Sequence, residues 1–267
     1  MDTSQTSRPT SIREGPWAAD AASLNAAWEA RDWPRLELLL ANLRPKFRVR
    51  YGEASPPYAE SMMLEGLMLY ETNRGEAALS RILEAGRLYE LALGPNHRDV
   101  AIAWHTYADA VIDVRGDNAL DEASTYYRRA YEIRRQALGD SAIETVAVGT
   151  ALANTQRRRA IRDNDESLFA DAEAIALRGT TAALPEHGVD YLNAWEALSN
   201  VLLAQGRAVD AEAALGGALA RTPWGEDDTN VLRAGLLSLL ADTLEAQGRH
   251  AEAAALRAQR DGSGEPI

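Results

Sequence analysis

The chain has 267 residues, 46% apolar and 25% charged, enough for a sizeable core in one large domain or two ordinary ones, which excludes wholesale disorder. A net charge of −12 removes the basic face that nucleic acids and anionic membranes require, so neither is expected as a partner. The chain has no cysteine, which excludes disulfide frameworks, thiolate metal sites and cysteine nucleophiles.

Alanine, leucine, glutamate and arginine dominate, and these are strong helix formers, so an almost entirely helical protein is expected. Lys46 is the sole lysine, and with so much alanine and arginine the usage points to a GC-rich bacterial genome. The start, MDTSQTSRPT, lacks the apolar stretch of a secretory signal, and no segment approaches about 18 consecutive apolar residues. A cytoplasmic location is therefore expected, with residues 1–15 as a polar, disordered tail.

From residue 16 onwards one kind of connector recurs. Tyr51-Gly52-Glu53, Leu93-Gly94-Pro95, Leu138-Gly139-Asp140, Leu184-Pro185-Glu186 and Trp224-Gly225-Glu226 follow one another at intervals of 42, 45, 46 and 40 residues. A period in the low forties filled with helix-forming sequence predicts stacked helix pairs. Six units result, at 17–57, 58–100, 101–145, 146–190, 191–231 and 232–260, each a helix A, a turn, a helix B and a linker. Within them a small residue recurs in helix A (Ala27, Gly66, Ala108, Ala153, Ser199, Ala241). Another recurs early in helix B (Ala78, Ala123, Ala172, Ala211, Ala253), with Leu36 in its place in the first unit. Helices whose axes approach to about 8 Å need small side chains where they cross. Trp104 and Trp195 fall at equivalent places and are expected to act as wedges between units.

Some segments depart from this regularity. The third unit carries RGDNALDEA at 115–123 and the fourth RRRAIRDNDES at 157–167, read as turns lengthened by about three and seven residues; such insertions either serve a function or are tolerated drift. Gly216-Gly217 interrupts a helix B, where each glycine costs about 1 kcal/mol relative to alanine; either a neighbouring helix comes very close or this one bends. Arg257 and Arg260 give the last unit a polar outer face, as a terminal repeat needs. Residues 261–267 form a polar tail.

No catalytic constellation accompanies these helices. His97-Arg98-Asp99 spells a kinase triplet, but it sits in a linker without the glycine-rich loop, strand lysine or Asp-Phe-Gly that a kinase requires. His97 and His187 are expected to cap or brace turns instead. The histidines at 97, 105, 187 and 250 lack metal-ligand spacing, and the acidic runs at 162–167 and 225–230 lack the pattern of a calcium loop. No catalytic residue, metal or cofactor is expected, and the chain is not expected to be an enzyme.

In the segment 192–223, Trp195, Leu198, Ser199, Leu202, Gly206, Ala211, Leu215, Ala218 and Pro223 follow a spacing that resembles the tetratricopeptide repeat. The period near 42 residues and the stretches EAALSRILEAGRLYELALGPNHRDVA and EASTYYRRAYEIRRQALG resemble the variant found in kinesin light chains and their bacterial relatives. The resemblance covers about residues 17–260, although Ser199 stands where the family prefers glycine and Arg98 where it prefers proline. It implies an all-α fold, a right-handed solenoid of about six repeats at 16–260, whose A helices line a concave groove. The groove positions implied are Met63, Leu67 and Tyr70; His105 and Asp109; Thr150, Asn154, Arg157 and Arg158; Glu196 and Asn200; and Ser238 and Asp242. Asparagines at 154 and 200 would hold the backbone of an extended peptide, because an amide donates and accepts at once. Arg157 and Arg158 would pair with acidic side chains. The expected function is a protein-interaction module for a peptide or partner protein, in a monomer or weak homo-oligomer. The alternative is a self-assembling scaffold joined through its ends or convex face.

Overall fold

Helix hairpins follow one another along the chain in a computed structural model that describes residues 11–12, 17–222 and 227–260. The tails at 1–10 and 261–267 and the fifth linker around Trp224 and Gly225 lie outside the described residues. Among the described residues there is no strand. The chain divides into two compact units, Met1–Ile133 and Arg134–Ile267.

The first unit contains α1 (Ala18–Glu29), α2 (Trp33–Tyr51), α3 (Pro56–Glu71), α4 (Gly75–Leu93), α5 (Arg98–Arg115) and most of α6 (Leu120–Leu138), within which the division falls. Asp32 starts α2 by accepting the Arg35 N–H at 3.2 Å, and the proline pair Pro56-Pro57 opens α3, where the missing N–H groups would be orphans anyway. His97 starts α5: its Nδ1 accepts the Asp99 N–H at 3.2 Å, so the triplet in this linker serves as a helix cap. Gly52, Gly94 and Gly139 stop α2, α4 and α6 at φ of +86°, +88° and +86°, a conformation that a side chain would resist.

The second unit contains the rest of α6, then α7 (Ile143–Asp163), α8 (Glu166–Ala182), α9 (Val189–Ala204), α10 (Ala208–Ala220), α11 (Asp227–Ala246) and α12 (His250–Arg260). His187 braces the linker before α9, its Nδ1 accepting the Leu184 N–H at 3.0 Å.

The two long turns resolve differently from each other. Residues Gly116–Ala119 form a 3-10 turn before α6. The stretch 157–167 is mostly not a turn at all: α7 runs on to Asp163, Asn164 takes the left-handed conformation at φ 52°, and Asp165 caps α8 through Ser167. The surplus residues lengthen a helix.

Every small residue read as a crossing point is buried, and none exceeds 2% exposure where a value is resolved. In the first unit Trp104 is 1% exposed and lies against Gly86 of α4, with Tyr126 at 5.0 Å and the Arg129 guanidinium over its face at 5.1 Å. Trp195 in the second unit is covered in the same way by Arg221 at 4.9 Å. Around Gly216 and Gly217 an added Cβ would meet nothing within 4 Å, so no neighbouring helix demands them.

Two residues of the N-terminal segment are described. Ser11 and Ile12 fall in the segment read as a tail, yet Ile12 is 1% exposed and packs into the cluster of Leu24, Leu36, Leu40, Leu43 and Phe47. Burying one such side chain contributes about 1.5–3 kcal/mol, which a frayed tail would forgo.

Candidate functional site

In the first unit the expected positions lie on α3 and α5. Met63 is nearly buried at 9% exposure, while Leu67 and Tyr70 are partly exposed. The Tyr70 hydroxyl donates to Asp113 of α5, and this bond, assisted by burial and the negative charge around it, pushes the phenol up to about 12. His105 faces Asp109 one turn on, Nε2 to Oδ2 at 3.5 Å, and Asp109 in turn accepts the Tyr127 hydroxyl of α6. Tyr70 and Asp113 border an open cavity of about 480 Å³ with Glu71, Asn73, Gly75 and Val114. Of these, sequence reasoning found only Tyr70. Asp113 and Glu71 lie four residues beyond the expected Asp109 and Leu67 on the same faces, so helical periodicity could have found them.

In the second unit α7, which carries Asn154 and Arg157, packs beside α9, which carries Glu196 and Asn200, and the Glu196 charge acts on Arg157. Both amides are partly exposed, with no hydrogen-bond partner among the described residues. Arg157 is half-buried, its Nε reaches no partner, and desolvation together with the neighbouring Arg158 charge pulls its pKa below the usual guanidinium value; Glu196 opposes that shift. Thr150 is partly exposed on the same helix. Ser238 and Asp242 of α11 are already engaged: Arg260 donates to the Ser238 hydroxyl at 3.3 Å, and Arg257 donates to Asp242 at 2.9 Å. The two arginines read as a solvated outer face bind the A helix of their own hairpin.

A recurring contact went unseen in the sequence. Arg115 ends α5 and reaches Glu76 of α4 at 2.7 Å and Glu122 of α6 at 3.0 Å. Arg207 reaches Glu173 of α8 and Asp210 of α10, both at 2.7 Å. Arg249 reaches Glu212 of α10 at 2.7 Å and Glu252 of α12 at 2.6 Å. Arg207 and Arg249 sit in A–B turns and Arg115 is the last residue of its helix A; each ties its own helix B to that of the preceding hairpin. The hydrogen bonds to Arg115 and Arg249 hold Glu76 and Glu252 below the usual carboxylate range. Among the described residues no group of three or more His, Cys, Asp or Glu is placed to hold a metal ion, and no helix is long and apolar enough to cross a membrane.

Small residues recurring at the crossings and arginines at three A–B junctions are marks of a repeat, and residues 107–141, from mid-α5 through α6, match the family model described as tetratricopeptide repeat. That segment is similar to a tetratricopeptide repeat. Solved tetratricopeptide structures extend the fold beyond that segment. A kinesin-light-chain protein of Podosopora anserina with nearly identical TPR-like repeats is similar, in a single-substitution form, at a TM-score of 0.61 and 16% identity, over 76% of this chain and 93% of that one. A second structure of that protein gives 0.59 at 18% identity, over the same shares. BtubC (BKLC) from P. vanneervenii gives 0.57 at 15% identity, over 94% of this chain and 92% of that one. The fold is thus all-α and similar to that of these repeat structures. No curated protein matches the chain in sequence.

Proposed function

We propose that the chain is a protein-interaction module whose A helices hold an extended segment of a partner, with α7 and α9 as the principal contact. The observation that carries this reading is what those two packed helices carry: two amides without partners among the described residues, Asn154 on α7 and Asn200 on α9, and the half-buried Arg157 guanidinium on α7. Amides suit a peptide backbone, and a partly desolvated guanidinium gains most from a carboxylate. Preformed helices lower the ordering cost of such binding. Tetratricopeptide proteins generally bind peptides or proteins and are generally non-catalytic, which supports a binding role. Cytoplasmic action belongs to the same proposal.

The test immobilises the full-length chain and its Asn154→Ala/Asn200→Ala variant and compares the proteins each retains from a lysate of the native host. The variant is expected to keep its helicity and melting temperature and to lose specific partners, with Arg157→Ala losing the acidic ones. Equal retention by all three chains refutes the assignment.

A further inference from the structure

In the first unit, α3 holds a piece of the chain's own N-terminal segment in the manner of a bound peptide. The Ile12 backbone N–H donates to Glu60 Oε2 at 2.7 Å, and the Ser11 hydroxyl donates to the same oxygen at 2.9 Å. Below these bonds the Ile12 side chain sinks among Leu24, Leu40 and Phe47 and is 1% exposed. Glu60 lies three residues before Met63 and seven before Leu67, so helical geometry places it on the face of α3 where a partner is expected. A carboxylate that accepts a backbone N–H reads main chain, which any peptide offers. The socket beneath it reads side-chain shape and accepts a branched aliphatic residue. The hydroxyl bond adds a preference for serine or threonine just before it. Ser11 lies in a bend and Ile12 in a turn, so the contact reads a short bent segment through one main-chain N–H, one hydroxyl and one aliphatic side chain, supplied from 48 residues away in sequence.

We infer that Glu60 and the apolar socket around Ile12 form a second peptide-binding site, specific for serine or threonine followed by a branched aliphatic residue and occupied in cis by Ser11 and Ile12. The inference rests on the reading of A-helix faces as surfaces for a partner's chain, but it shares no residue with the α7–α9 contact. The tether gives residues 11–12 a high effective concentration at the site, so a free segment competes only once that occupant is weakened.

The test titrates the full-length chain, by fluorescence anisotropy, with a labelled peptide of residues 6–16, TSRPTSIREGP. Wild type, Ile12→Asp and Ile12→Asp/Glu60→Gln are compared. The Ile12→Asp chain, which cannot refill the socket, is expected to bind at least about tenfold more tightly than wild type, the advantage of the tether having been removed. Adding Glu60→Gln is expected to abolish most of that gain, and a peptide carrying aspartate in place of the isoleucine is expected not to bind. If Ile12→Asp retains wild-type helicity and binds no more peptide than wild type, the inference falls. If Ile12→Asp loses helicity, Ile12→Ala replaces it, and failure of the peptide to raise the melting temperature of Ile12→Ala overturns the inference equally, leaving Ile12 as a core plug. The experiment uses no external partner, so its failure and that of the α7–α9 assignment are read separately.

Discussion

Gly86 offers a sharp test of the packing between α4 and α5. A methyl group there would stand 2.3, 2.7 and 2.8 Å from three ring carbons of Trp104, well inside contact distance. The ring has little room to withdraw: it is 1% exposed, with Tyr126 at 5.0 Å and the Arg129 guanidinium at 5.1 Å, and Arg129 is itself paired with Glu90. Overpacking costs about 1–3 kcal/mol, and a rigid buried ring puts this site at the upper end. Alanine recovers about 1 kcal/mol through its helix propensity. Gly86→Ala is therefore expected to destabilise by about 2 kcal/mol, the balance of these two effects. At urea m-values of about 1–3 kcal/mol/M this lowers the unfolding midpoint by roughly 1 M, readable by far-UV circular dichroism. Gly216→Ala is the control of opposite sign: that glycine is an exposed helical residue with nothing within 4 Å of a new methyl group, so the change is expected to stabilise by about 0.5–1 kcal/mol. In a Trp104→Leu background the penalty at Gly86 should shrink, because the two residues are in contact. If Gly86→Ala proves as stable as wild type, the close approach of α4 and α5 is refuted.

Two further predictions concern charge. The bond to Asp113 pushes the Tyr70 phenol up from 10.0 to about 12, so between those values the unfolded state loses a proton that the native state keeps, and this contribution to stability falls as pH rises. The difference between the ultraviolet pH titrations of wild type and Tyr70→Phe should therefore show one phenol ionising near 12; ionisation near 10 would discard the bond to Asp113. Arg249→Ala, which removes the ion pairs to Glu212 and Glu252, is expected to lower the melting temperature in dilute buffer by more than at about 1 M salt, where exposed pairs are screened; an equal loss at both would show that the arginine acts by packing.

Where one local rule governs, the structure is readable from the sequence. The small residues from Ala27 to Ala253 mark the crossings because no larger side chain fits, and the linker glycines mark the ends of α2, α4 and α6 because each takes a positive φ. The stretch 157–167 passes for a long turn although the opposite signals are present: Arg157 to Arg162 are good helix formers, and Asn164 followed by Asp165 combines a left-handed stop with a helix cap. Ile12 gives no warning, since one apolar residue among polar ones has no period, and its burial depends on Glu60 and Phe47 far along the chain. The candidate site is legible only by register. Register places Asn154 and Asn200 on neighbouring helices, but it does not show that Arg257 and Arg260 already engage Asp242 and Ser238, because which side chains meet across a hairpin is settled by rotamers and distance.

The arginines at 115, 207 and 249 have an implication for how such a chain can change its length. Each brings a guanidinium to the junction between helix A and helix B and finds there a glutamate of the preceding helix B. The fastening is therefore generic rather than keyed to one pair of neighbours. A duplicated α9–α10 segment spliced in after the original would arrive with its own clasp and meet a waiting acid, so growth or shrinkage by whole modules needs no fresh invention at the seam.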